Sequence, residues 1–157
     1  MEGDIGARIA KLEAVEEIRS LKARYAKACD IGYSPSAMAP LFTADAVWTE
    51  VTGRFGTHEG RDAICAFFGG VSSSISWALH YMIAPNIQVA DDLQSATGTW
   101  YLWQPCTMDG EAVLLAGTYA DTYRNEMGTW RISRMEVKLE TITSLHEGWA
   151  RQRFIGD

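Results

Sequence analysis

Cysteine is scarce in this chain of 157 residues. The three present, Cys29, Cys65 and Cys106, are odd in number and show no C-x-x-C spacing, which argues against a disulfide framework or a zinc knuckle. They are expected to be reduced thiols in a cytoplasm, with Cys29 a small buried residue rather than a nucleophile. Cations are also short: 14 Lys and Arg face 20 Asp and Glu, for a net charge of −6. With no basic run or stripe, nucleic acid and anionic membrane surfaces are not expected as partners. No apolar run is long enough to span a membrane. The opening "MEGDIGARIAKLEAVEE" lacks the apolar centre of a secretory signal. G-x-G-x-x-G, P-loop, G-x-S-x-G and H-E-x-x-H signatures are all absent. His58 and Asp62 are four apart, but with no third ligand in view an exposed helix start is the better reading. No metal and no organic cofactor are expected.

What is present is apolar and aromatic. Hydrophobic residues make up 47% of the chain, aromatics 11%, and there are six tryptophans. That suffices for one domain over residues 1–157 with a substantial core, or with a pocket for a flat apolar ligand. Ile5, Ile9, Leu12, Val15, Ile18, Leu21, Tyr25 and Ala28 recur at steps of three or four, which predicts a long amphipathic helix ending near "CDIGYSP". Ser34–Pro35 predicts the start of a short helix. "AVWTEV" reads as strand, and "EGRDAICAFFGG" as a helix stopped by Gly69–Gly70.

From Ser76 onward the pattern is strand: 76–90, 95–105, 111–124 and 129–143. Turn chemistry lies at "ADD", "MDG" and "NEMG", and Pro85 implies a bulge or bend. Alternation sets Trp100 and Leu102 against Tyr101 and Trp103. It likewise sets Val113, Leu115, Tyr119 and Tyr123 against Leu114, Ala116 and Ala120. With both faces apolar, one is expected to pack on the helices and the other on a second subunit, giving a homo-oligomer, a trimer or dimer. The expected class is α+β: a strongly curved antiparallel sheet, with N-terminal helices on its concave face and a cavity between them.

Against this apolar background Tyr25, Asp30 and His80 stand out. A neutral imidazole can take a proton, a carboxylate can orient the ring, and a phenol can donate to a leaving oxygen. Each also has a structural reading: Asp30 as a turn residue, Tyr25 as a core aromatic, His80 as a buried strand histidine. On a continuous helix Tyr25 and Asp30 lie about 140° apart, so they line one pocket only if the helix ends near Asp30. The residues alone leave these readings open.

The ordered segments "AVEEIRSLKARYAKACD", "DAVWTE", "GRDAICAFF", "LHYM" and "GTYADTYRNEMGTWRI" resemble the SnoaL-like branch of the NTF2-like superfamily, closest to its dehydrochlorinase and dehydratase members. The resemblance runs along nearly the whole chain. It implies a cone-shaped α+β fold, an Asp30–His80 dyad with His80 as base, and Tyr25 at the position of the dehydratases' tyrosine. It also implies Trp48 as a pocket tryptophan. Met135 stands where the dehydrochlorinase pattern has an arginine, and Tyr25 where it has a cation, so a halide leaving group fits poorly. The function implied is a cofactor-independent lyase, a dehydratase or related β-elimination enzyme, acting on an apolar cyclic small molecule. Trp48, Trp103, Tyr119 and Met135 are its candidate walls. The alternatives are an isomerase or polyketide-type cyclase using the same base, and a non-catalytic protein like a dioxygenase small subunit.

Overall fold

The stripe folds as helix α1 (Ile5–Asp30) in the computed structural model, which describes residues 4–156. The Asp4 carboxylate accepts from the Gly6 N–H at 3.0 Å, satisfying one free donor of the first turn. Ile18, Leu21, Tyr25 and Ala28 are buried, whereas Ile5, Ile9 and Leu12 lie in exposed N-terminal turns. Two short pieces follow, α2 (Pro35–Met38) and a 3₁₀ turn (Ala39–Leu41). Ser34 precedes α2 as expected, but its hydroxyl pairs with Ser36 at 2.9 Å instead of capping the helix.

Strand β1 (Phe42–Glu50) pairs with a short β2 (Thr57–Glu59), and α3 (Arg61–Val71) follows. Gly69 and Gly70 therefore lie inside α3, which continues one residue beyond them. His58 sits on β2, not at a helix start; its Nε2 lies 2.9 Å from the Phe55 carbonyl and its ring stacks on Phe67 at 4.1 Å.

The remaining strands are β3 (Ile75–Ala78), β4 (Tyr81–Val89), β5 (Ser95–Met108), β6 (Glu111–Glu126) and β7 (Thr129–Ser144). The spatial order is β2-β1-β7-β6-β5-β3, with β4 also paired to β5. The sheet is mixed, because β1 runs parallel to β7 while every other pairing is antiparallel. The two long hairpins turn on Asp109–Gly110 and Met127–Gly128, all four at positive φ. That is the backbone of two-residue turns that follow the sheet's twist.

One expected strand is two. Between β3 and β4 the chain breaks at Leu79–His80, although the Leu79 N–H still donates to the Pro105 carbonyl at 3.1 Å. The bend foreseen at Pro85 is present: the β4–β5 register shifts between Ile83 and Asn86, with Ala84 at φ +50°.

Helices and concave face enclose the core, which contains a charge pair. Lys22 and Asp121, both fully buried, meet at 2.7 Å. The Tyr123 hydroxyl donates to the same Asp121 oxygen at 2.7 Å and accepts from Trp100 Nε1 at 3.0 Å. The ammonium lies 3.6 Å from the centroid of the Tyr119 ring. Removing one ion strands the other, which costs about 3–5 kcal/mol, whereas exchanging both for apolar groups is often near neutral. Asp121→Leu should therefore lower stability by about that amount, and Lys22→Met with Asp121→Leu should recover most of it. Urea midpoints at constant m-value check this; a double variant as unstable as the sum of the singles would contradict it.

Candidate functional site

Asp30 is the last residue of α1 and His80 sits in the break between β3 and β4. One carboxylate oxygen, Oδ1, accepts from the His80 backbone N–H at 2.9 Å and from its Nδ1–H at 2.8 Å. That bond leaves Nε2 as the basic nitrogen. Nε2 makes no hydrogen bond among the described residues, and the ring borders a cavity of about 60 Å³. Burial lowers the His80 pKa below its ordinary 6.5, outweighing the two effects of Asp30, which raise it. The ring is thus neutral at pH 7 and ready to accept a proton.

The cavity is aromatic. Trp48 packs against Phe67 at 4.8 Å and edge-on against Phe68 at 5.7 Å. Tyr25 meets Tyr119 edge-on at 6.3 Å, and Tyr33 meets the His80 ring edge-on at 5.9 Å. The sheet side is completed by Leu102, Gln104, Leu115, Val137 and Leu139. Among the lining residues only Phe55, Phe67, Val71 and His80 are incompletely buried, so the cavity approaches the surface among them. Trp48 Nε1 is sealed off without a hydrogen-bond partner; it lies close to the Tyr25 hydroxyl but outside bonding geometry. Burial holds the Tyr25 and Tyr119 phenols well above their ordinary pKa, so both remain proton donors.

The structure brings together Tyr25, Trp48, His80 and Tyr119 around one cavity, with Asp30 behind the histidine. Helix α1 ends at Asp30, so the aspartate reaches His80 from outside the cavity, facing a groove between α1 and β4, while Tyr25 points inward. Two expected walls are corrected. Trp103 lies on the outer face of β5, 43% exposed and edge-on to Trp149 at 6.2 Å, because alternation points Trp100, Leu102 and Gln104 inward. Met135 is fully buried on the inner face of β7 beside Trp48, its cross-strand partner, and does not itself border the cavity. Cys29 is buried, as expected, and burial raises its thiol pKa, which keeps it unreactive. Gln104 escaped the sequence reading, although the alternation of Trp100 and Leu102 already placed it on the inner face.

This is an α+β cone with a hydrogen-bonded aspartate–histidine pair at the edge of an apolar cavity. The chain belongs to the SnoaL-like domain family, whose profile matches residues 10–136. Among solved structures it is similar to a hexachlorocyclohexane dehydrochlorinase, LinA type 2, at 18% identity over 88% of this chain and 93% of that one, TM-score 0.80. A Novosphingobium aromaticivorans protein assigned as a scytalone dehydratase matches at 21% identity over 96% and 98% of the two chains, TM-score 0.78. A protein from the same organism assigned as an aromatic ring hydroxylase matches at 24% identity over 85% and 94%, TM-score 0.78. At these identities the likeness is one of fold. A search of curated proteins by sequence finds no match.

The lowered His80 pKa has a direct readout. In an NMR titration the His80 ring should change charge with a midpoint below 6.5, and Asp30→Asn should move that midpoint lower still, because the carboxylate favours the imidazolium. A midpoint above 6.5, or an upward shift in the variant, would contradict the assignment.

Proposed function

We propose that the protein is a cofactor-independent lyase, a dehydratase or related β-elimination enzyme, acting on an apolar cyclic small molecule. The observation that carries this is the 2.8 Å contact between Asp30 and His80, with the imidazole bordering an aromatic cavity. His80 Nε2 removes a carbon-bound proton, and Asp30 fixes the tautomer and steadies the imidazolium. The C–H electron pair becomes the new double bond as the carbon–oxygen bond breaks. The imidazolium returns the proton to the departing oxygen, so water leaves and His80 is restored. Tyr25, a phenol held in its neutral form, donates a hydrogen bond to that oxygen. Trp48 and Tyr119 shape the site and exclude water.

The same reading places the enzyme in the cytoplasm, where its three buried free cysteines remain thiols. It also makes the enzyme a homo-oligomer. Trp77, Tyr81, Ile83, Tyr101, Trp103 and Trp149 are all at least 43% exposed, and those on the sheet form an apolar outer face that a second subunit would cover. Light scattering after size exclusion should give two or three times the 17.4 kDa chain mass. A monomer at micromolar concentration would exclude this part of the proposal.

Mass spectrometry of a panel of cyclic substrates tests the reaction. A loss of water is expected, and His80→Ala should slow it by about 10²–10⁴-fold. An unchanged product mass would instead mark an isomerase or cyclase, and unaltered turnover in His80→Ala would remove the base assignment.

A further inference from the structure

Gln104 is 4% exposed and borders the same cavity as His80. Its carboxamide makes no hydrogen bond among the described residues, yet neither of its polar atoms is sealed from free space. A buried amide without a partner is costly, and such groups are normally satisfied. This one is presented to the cavity. It also lies beside the base. Tyr81 pairs with Trp103, and the Leu79 N–H donates to the Pro105 carbonyl, so the strand break carrying His80 runs opposite Gln104.

The polar groups that border the cavity are uncharged: the phenols of Tyr25 and Tyr119 and the carboxamide of Gln104, each able to donate or to accept, while the Trp48 indole N–H is sealed off from it. Among the described residues no Lys or Arg borders it. That set suits an uncharged acceptor oxygen better than a carboxylate or a phosphate. A carbonyl oxygen has a second merit beside a base. When a neighbouring C–H loses its proton, the electron pair spreads onto the oxygen, where a fixed N–H donor stabilises it.

We propose that Gln104 is a specificity-determining residue: its carboxamide N–H donates to the oxygen of a carbonyl group adjacent to the carbon that His80 deprotonates, so the substrate is an apolar cyclic ketone. This rests on the elimination reading above and narrows its substrate class. Of the donors present, Gln104 selects the ketone, while Tyr25 serves the leaving oxygen.

Cyclohexanone and methylenecyclohexane, matched in shape but differing in the acceptor oxygen, provide the test. Their dissociation constants are measured by NMR titration on the wild-type chain and on Gln104→Met. The preference for the ketone should fall about tenfold in the variant, as expected for one lost hydrogen bond isolated by a double-mutant cycle. The wild-type chain gives a substitution-free reading as well: the Gln104 side-chain amide resonances should move with cyclohexanone and stay in place with methylenecyclohexane. If both probes bind, but the ratio is unchanged and the amide responds alike to both, the role of Gln104 is overturned while the cavity stands as a ligand site. If neither probe perturbs His80 or Gln104, the ligand-site reading and this inference fall together.

Discussion

One oxygen atom organises the site. Asp30 Oδ1 accepts both the backbone N–H and the ring N–H of His80, joining the end of α1 to the break between β3 and β4. A strand break releases backbone groups from the ladder, and a released N–H needs a partner when buried. Here the carboxylate supplies it, and the same atom then holds the imidazole. The orientation of the imidazole is therefore coupled to the docking of α1 against the sheet. A shift of the helix along its axis would move the orienting carboxylate and loosen the break together.

The docking of α1 is fixed by a second charged contact two turns earlier. Lys22 reaches Asp121 on β6, and Asp121 also accepts from Tyr123, so the C-terminal part of the helix is tied to the sheet at two points. The two ties have opposite electrostatic effects on His80: Asp30 favours the imidazolium, and Lys22 disfavours it. Desolvation adds to the second, and the ring stays neutral. A buried ion pair is a weak source of stability by itself. Its value here lies in direction, because a single bonded pair specifies helix register more narrowly than contacts between apolar side chains, which tolerate sliding.

The residues that form the dyad could be named from the sequence, but only the resemblance joined them, since 50 positions separate Asp30 from His80. The faces of β5 and β6 followed from alternation alone, and the turns at Asp109–Gly110 and Met127–Gly128 from local chemistry. Lys22 was hidden because it follows Leu21 in an apolar stripe, where a lysine normally lies on the solvated side, and its partner is 99 residues away. Asp121 carried a usable signal, sitting between Tyr119 and Tyr123 on the inner face. The parallel pairing of β1 with β7 had none: it joins the first strand to the last, and only closure of the whole sheet sets their relative direction. Trp103 and Met135 were misplaced as walls for different reasons. The unknown was which sheet face is concave for the first, and how far the cavity extends along β7 for the second.

The size of the cavity constrains how a ligand enters. At about 60 Å³ it is well below the roughly 150 Å³ of a cavity that admits benzene, so binding a ring requires side chains to move. The β1–β2 turn is not the natural place for backbone opening. The Glu50 carboxylate accepts from the Thr52 and Arg54 N–H groups and from the Thr52 hydroxyl. Burial raises the Glu50 pKa, but these bonds more than offset it and hold the group ionised. With that turn pinned, displacement falls on side chains that are only partly buried, Phe55 and Phe67. The Phe67 ring is stacked on His58, which is bonded back to the Phe55 carbonyl. Rotation of the Phe67 ring therefore couples to His58, and through it to the same turn.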